Sequence, residues 1–262
     1  EYTLSGYTQH LGSYEDANRI IAENNIEEII IALESKEHEI IQKILTQLQE
    51  SDVKIKIIPD LYNILTGQVK MNSILHAALI EINIGNLSSW EVFAKRIIDI
   101  IVSSTVLIVG SPIYLVLSLL VKTSSKGPVL FTQERIGLRG KPFRIIKFRS
   151  MYIDAEKNGP ALSKEKDNRI TPIGRFLRKS RLDETPQFWN VLKGEMSMVG
   201  PRPERSFFIE KIVQQAPQYK YLHKVKPGIT SWGQVKYGYA ENVDEMIERL
   251  KFDLIYMENR SL

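Results

Sequence analysis

Asp183 and Glu184 are adjacent carboxylates that follow a cationic run, Arg175, Arg178, Lys179 and Arg181, and precede a Gly200-Pro201-Arg202-Pro203 turn. Neighbouring cations hold carboxylates ionised, the state that a nucleophile or a magnesium ligand requires. Arg202 lies between two prolines, so a stiff backbone offers its forked guanidinium, a donor geometry suited to phosphate. Gly200 is expected to give that turn its conformational freedom. An Asp-Glu pair by itself is usually a solvated face. Here its surroundings suggest a site for a metal and a phosphate.

The charge distribution points the same way. Residues 1–90 carry 13 acidic and 6 basic side chains, whereas residues 122–181 carry 16 basic and 5 acidic ones, within a chain of 262 residues and net charge +4. A basic segment of that density fits an anionic membrane surface, a polyphosphate ligand or nucleic acid. No zinc-finger spacing or RNA-recognition aromatic motif supports nucleic acid. The chain has no cysteine, which excludes disulfides, thiolate zinc sites and a cysteine nucleophile, and its four scattered histidines argue against a histidine metal cluster. It starts at Glu1 with no signal peptide pattern, and reads as part of a longer protein.

Residues 14–24 and 37–50 have helical periodicity, while 27–33 and 53–59 read as buried strands. That alternation predicts a parallel sheet and an α/β, partial Rossmann-like domain over residues 1–70. Gly6 and Gly12 do not form the glycine-rich phosphate loop of dinucleotide sites, so an accessory or interaction role is expected. Residues 71–94 read as a linker, with Gly67, Asn72, Gly85 and Asn86 as breakers around it and a short apolar piece at 74–84. Trp90 and Phe93, beside Lys95 and Arg96, suit an interfacial anchor or ordinary packing.

Residues 97–121 contain one charge, Asp99. The stretch is long enough to cross a bilayer, which takes about 20 apolar residues. Ser111-Pro112 falls near its middle, where proline removes a backbone donor and bends a helix. Lys95 and Arg96 before it, and Lys122, Lys126, Arg135 and Arg139 after it, favour placing both ends on the cytoplasmic side. A re-entrant helix over 95–122, broken at Ser111-Pro112, satisfies these features; a kinked span and a buried helix are the alternatives.

From residue 123 onward the chain reads as a compact mixed α/β domain. Strands are expected at 128–132 and 143–148 around a Gly137–Gly140 turn. Lys147 and Arg149 would share a face of the second strand. Residues 154–169 read as a mobile loop or lid. A helix starting at Thr171 would place Arg175, Arg178 and Lys179 on one face.

Taken in order, several motifs resemble the bacterial sugar transferases, the monotopic phosphoglycosyl transferases. They are Lys95-Arg96-x-x-Asp99, the apolar segment with Ser111-Pro112, Phe131-Thr132-Gln133-x-Arg135-x-Gly137, Lys147-Phe148-Arg149-Ser150-Met151, Arg181-Leu182-Asp183-Glu184-x-Pro186-Gln187, Asn190-Val191-Leu192-Lys193-Gly194, Met198-Val199-Gly200-Pro201-Arg202-Pro203 and Lys226-Pro227-Gly228-Ile229-Thr230. The resemblance covers about residues 94–262. It implies transfer of a hexose-1-phosphate from a UDP-sugar to polyprenyl (undecaprenyl) phosphate with release of UMP, an initiating step of exopolysaccharide, capsule or O-antigen synthesis. Asp183 would be the nucleophile, forming an aspartyl-phosphosugar intermediate, and Glu184 would bind Mg2+, with Asp183 adjacent. Lys147, Arg178 and Arg202 would stabilise phosphate charge; Arg149 would join them or make a structural salt bridge instead. The resemblance also implies the bacterial inner membrane, a catalytic domain on its cytoplasmic face, contact with membrane lipid and a homodimer. Thr185 stands where the family pattern has leucine, and Ser231-Trp232-Gly233-Gln234 stands where Gly-Trp-Ala-Gln is common. His223 resembles a family position and also suits a core or helix-end histidine. The competing functions are a non-catalytic membrane anchor and a magnesium-dependent diphosphate hydrolase.

Overall fold

The computed structural model describes residues 9–33, 38–48, 53–58, 80–81, 87–157, 159–160, 162 and 167–260. The chain forms two compact units, Glu1–Asn86 and Leu87–Leu262.

In the first unit a short 3-10 turn, Tyr14–Asp16, leads into α1 (Ala17–Asn24), which ends where Asn25 takes a left-handed conformation. β1 (Glu28–Ile31), α2 (His38–Gln47) and β2 (Lys54–Ile57) follow, with β1 parallel to β2 and Ile31 opposite Ile57. A two-residue strand, β3 (Ile80–Glu81), pairs antiparallel with β2. Ile31, Leu48 and Ile55 are buried among Ile21, Ile41 and Ile44. The strand–helix–strand alternation therefore makes the expected parallel crossover. The breakers at Gly67, Asn72, Gly85 and Asn86, and the apolar piece at 74–84 apart from β3, lie outside the described residues.

The second unit opens with α3 (Ser89–Val109), started by a capping box in which Ser88 N donates to Glu91 Oε2 at 2.8 Å. α4 (Ser111–Ser124) follows at once, bent 62° from α3. The break falls at Gly110, next to the Ser111-Pro112 position expected for it, and it is not a kink centred on the proline. α3 stops at Gly110, and Pro112 occupies the first turn of α4, where its missing N–H leaves no hydrogen bond unmade. A Cβ at Gly110 would lie 2.5 Å from the Val106 carbonyl oxygen, so the sharp turn requires glycine. The carbonyls exposed by the break find donors: Val106 O accepts from Gly110 N and the Tyr114 hydroxyl, and Ile108 O from Ser111 Oγ at 2.8 Å.

Among the described residues no single helix is long and apolar enough to cross a membrane, but α3 and α4 together pass that test by length and composition. Ile108, Val109, Leu115 and Leu119 are each 66–74% exposed, large apolar side chains that water disfavours. The opposite side is fastened to the polar domain. Leu117 and Val121 pack on Phe148 and Leu177.

β4 (Leu130–Ile136) and β5 (Pro142–Phe148) form an antiparallel hairpin, with β4 running four residues past its expected end. α5 (Pro172–Lys179) is capped by Thr171, whose Oγ1 accepts from Gly174 N at 2.9 Å. A 3-10 turn, Leu182–Gln187, runs into α6 (Phe188–Lys193). β6 (Ser197–Val199) pairs in parallel with β7 (Gly228–Thr230), and α7 (Ser206–Gln215) lies between them in sequence. α8 (Trp232–Lys236) and α9 (Val243–Asn259) complete the unit. Ile212, Leu222, Leu250 and Met257 form the centre of its main core.

Candidate active site

Arg181 adopts a left-handed conformation (φ 60°) at the end of α5 and turns the chain into the 3-10 segment that carries Asp183 and Glu184. Both carboxylates are 7% exposed. Glu184 Oε1 accepts from Lys147 Nζ at 3.0 Å and from Arg202 Nη2 at 3.1 Å, which joins β5, the 3-10 turn and the Pro201–Pro203 turn at one oxygen. Arg181 Nη1 stands 3.9 Å from Oε2. Burial alone would raise the pKa of Glu184, but Arg202 and Lys147 reverse the effect and hold this carboxyl well below the usual range.

Asp183 behaves differently from its neighbour. Burial raises its pKa; Lys147, Arg178 and Arg202 pull against that rise, and Glu184 adds to it. The cations expected to keep both carboxylates ionised act unequally on them, because Glu184 holds the hydrogen bonds of Lys147 and Arg202. Asp183 Oδ1 is buried with no hydrogen-bond partner among the described residues. A buried acceptor without a donor is costly, and sites that keep one commonly use it.

Of the three cations expected to share a face of α5, Arg178 is turned inward, with Nε donating to Ser150 Oγ at 2.9 Å, while Arg175 and Lys179 are exposed. Arg149 is placed away from this cluster. β5 ends at Phe148, so strand alternation does not carry Arg149 onto the face of Lys147. Its Nη2 donates to Ser125 O at 2.6 Å and Val121 O at 3.2 Å, at the C-terminus of α4, where a cation also complements the helix dipole. Arg149→Met is therefore expected to lower stability by roughly 1.5–3 kcal/mol, the range for a hydrogen bond to a charged group. Thermal unfolding measures that loss.

The Lys95-Arg96-x-x-Asp99 motif makes a second tether. Arg96 donates to Val191 O at 2.6 Å and Leu192 O at 2.7 Å at the end of α6, and Asp99 Oδ1 accepts from Met198 N at 2.9 Å. The one charge in the apolar stretch is thus satisfied by polar-domain backbone. Gly200 also acts differently from expectation. It is absent from the positive-φ glycines, and a Cβ there would meet Lys226 O at 2.4 Å, so glycine is needed for close approach of two chain segments. Within residues 154–169, Glu156 pairs with Arg205 at 2.8 Å, and Arg169 gathers Asp167 and the carbonyls of Ala155 and Leu162. His223 is partly buried with its ring against Tyr219, and burial pushes its pKa down.

Gln234, named from sequence only as part of the Ser231–Gln234 motif, and Tyr239 and Asp253, not singled out there, complete the site. Gln234 Oε1 accepts from Arg202 Nη1 at 2.8 Å and fixes the guanidinium from the side opposite Glu184. Gln234 is held by α8, whose start is fixed by Asp253 Oδ1 accepting from Ser231 Oγ at 2.8 Å and Gly233 N at 2.9 Å. Tyr239 lies under Arg181, 4.4 Å from its ring centroid, and also bonds that guanidinium through its hydroxyl. The Gln234 and Asp253 contacts span 32 and 22 residues, so no local spacing signals them. A cleft of about 430 Å³ opens beside Glu184, walled by Leu182, Thr185, Phe188, Ile229 and Val235.

Among the described residues no three acidic, histidine or cysteine side chains cluster as a metal cage. Mg2+ commonly uses only one or two carboxylates together with substrate phosphates and water. Glu184 Oε2 fits that donor set, with the Asp183 carboxylate adjacent to it.

Residues 90–262 match the family model described as bacterial sugar transferase, and residues 4–59 match one described as CoA-binding domain. The UDP-N-acetylgalactosamine-undecaprenyl-phosphate N-acetylgalactosaminephosphotransferase of Aeromonas hydrophila is 38% identical over 223 residues, 84% of this chain and 52% of that protein. The UDP-glucose:undecaprenyl-phosphate glucose-1-phosphate transferase of Klebsiella pneumoniae is 36% identical over 255 residues, 97% of this chain and 55% of that protein. The Escherichia coli K12 protein of the same name is 37% identical over 242 residues, covering 90% and 52%. The chain spans about half the length of these curated relatives. With the family model matched over its entire second unit from Trp90 onward, the chain belongs to the bacterial sugar transferase family.

Proposed function

We propose that the chain carries the catalytic part of an enzyme that transfers a sugar-1-phosphate from a UDP-sugar to polyprenyl phosphate. The observation that carries this reading is the division of labour between two adjacent buried carboxylates: Glu184 locked by Lys147 and Arg202, and Asp183 with a free oxygen beside them. The names of the relatives, two glucose-phosphate transferases and one N-acetylgalactosamine-phosphate transferase, support the reaction class without selecting a sugar.

In the first step Asp183 Oδ1 attacks the sugar-linked phosphorus, the bond from that phosphorus to the bridging oxygen breaks, and UMP leaves. Lys147, Arg178 and Arg202 stabilise the charge that spreads over the phosphoryl oxygens. Gln234 keeps the Arg202 fork oriented. In the second step a phosphate oxygen of the polyprenyl phosphate attacks the same phosphorus and Asp183 is released as a carboxylate, leaving a polyprenyl diphosphate sugar. Glu184 and Asp183 are the residues that would hold Mg2+, which supplies charge neutralisation at the diphosphate when bound. The exposed apolar surface of α3 and α4 supports a re-entrant anchor that holds this polar site at the membrane interface.

The test is incubation of the protein with a panel of UDP-sugars, magnesium and polyprenyl phosphate, following UMP release. Lipid-dependent turnover with at least one sugar is expected. Continuous UMP release without lipid would make the protein a hydrolase, and no turnover with any sugar by folded protein would make it an anchor.

A further inference from the structure

The cleft beside Glu184 has walls of two kinds. Leu182, Phe188, Ile229 and Val235 are apolar, whereas Thr185, Thr230, Ser231 and Arg181 are polar, with the Thr185 hydroxyl donating to Leu182 O and the Ser231 hydroxyl to Asp253 Oδ1. Its volume of about 430 Å³ lies within the ~300–1,000 Å³ range of small-molecule sites. The polar end meets Glu184, where the cations Arg181, Lys147 and Arg202 converge.

The apolar wall is continuous with the elements that hold the broken helix pair. Leu182 packs in the cluster formed by Tyr114, Leu117 and Val121 of α4 with Phe148 and Leu177. Phe188 begins α6, whose last carbonyls are held by Arg96 of α3. On the far side Val235 is 61% exposed and Trp232 on the same short helix 41%, so apolar surface continues outward from the cleft along α8. Lys236 lies over the Trp232 ring at 4.8 Å, a cation beside an aromatic of the kind found at headgroup level. Thr185 and Ser231, two positions at which this chain departs from the family pattern, both line the cleft.

We infer that this cleft receives the phosphate-proximal isoprene units of the lipid acceptor, with Val235 and Ile229 as the wall against which the chain lies. The inference rests on the transferase reading above. A cleft with apolar walls, apolar surface continuing outward along α8 and a cluster of cations at its polar end matches a prenyl phosphate, which has an anionic head on a hydrocarbon tail. A nucleoside diphosphate sugar could offer the Leu182, Phe188, Ile229 and Val235 walls only the face of its base, since its ribose, diphosphate and hexose are polar. The rest of the lipid chain stays in the bilayer.

Val235→Glu places a carboxylate in the groove, where it opposes both the hydrocarbon and the phosphate; Val235 is exposed, so folding tolerates the change. Val235→Leu keeps the wall apolar. Two readouts are taken on the full chain: equilibrium binding of farnesyl phosphate by titration calorimetry, and the KM values for polyprenyl phosphate and UDP-sugar. Val235→Glu is expected to weaken farnesyl phosphate binding and raise the KM for polyprenyl phosphate at least tenfold, with the KM for UDP-sugar within twofold of the parent and Val235→Leu close to the parent in both. A rise confined to the UDP-sugar KM would give the cleft to the donor and overturn the inference, as would unchanged farnesyl phosphate binding in Val235→Glu. Because the calorimetric measurement needs no turnover, weakened binding supports the cleft assignment even if the parent protein transfers no sugar, an outcome that would reject the transferase reading alone.

Discussion

Asp183→Asn is expected to reduce sugar-phosphate transfer by at least about 10⁴-fold, the scale seen when a covalent nucleophile is removed while binding groups remain. The substitution preserves shape and burial but removes the attacking oxygen's charge. The UMP burst at stoichiometric enzyme should vanish, and mass spectrometry should find no sugar-phosphate adduct on the peptide carrying residue 183. Undiminished transfer would reject Asp183 as nucleophile. The pH dependence follows from the same geometry. Burial raises the Asp183 pKa from the ordinary aspartate value, and the reactive form is the ionised one. Activity should therefore fall on acidification earlier than an exposed aspartate would require. Glu184 remains ionised through that range because its pKa is depressed.

The roles of these two neighbours were only partly legible from sequence. The density of cations around residues 147, 178 and 202 points to an anionic ligand, and a proline on either side of Arg202 points to a rigid mount. What the linear pattern does not carry is which carboxylate receives the hydrogen bonds, because that depends on β5 and the Pro201–Pro203 turn meeting at Glu184 Oε1 rather than at Asp183. Arg149 shows the limit of periodicity. The two-residue alternation holds only while the strand continues, and one residue beyond Phe148 the guanidinium belongs to the end of α4. The parallel β1–α2–β2 crossover and the β4–β5 hairpin were readable because hydrophobic periodicity is local. Gln234 and Asp253 were not, because their partners lie on other elements.

The Pro201–Pro203 turn is positioned by a buried charge cluster, and its disruption should have the largest effect on stability. Glu204 is 4% exposed and accepts from Arg135 Nη1 at 2.9 Å and from Arg249 Nη2 at 2.8 Å. Arg135 also donates to Pro203 O at 3.2 Å, so the cluster holds the backbone immediately after Arg202. Burial opposes ionisation of Glu204, but Arg249, Arg135 and Arg202 overcome it and depress its pKa. Glu204→Leu would leave two guanidinium groups buried without their shared carboxylate, a change that costs about 3–5 kcal/mol in comparable sites. The double variant Glu204→Leu/Arg249→Met should recover part of the loss, since removing both partners avoids one uncompensated charge. Thermal unfolding of the single and double variants measures the difference. The sign of the pH effect is fixed by the depressed pKa: the stabilisation is fully present above the unfolded carboxylate value and is lost as pH falls through the lower folded value. Equal stability of the parent and Glu204→Leu would show that the two arginines find other partners. If Glu204→Gln, which keeps the acceptor oxygen, folds well yet lowers turnover, the cluster would be acting on Arg202 orientation as well as on stability.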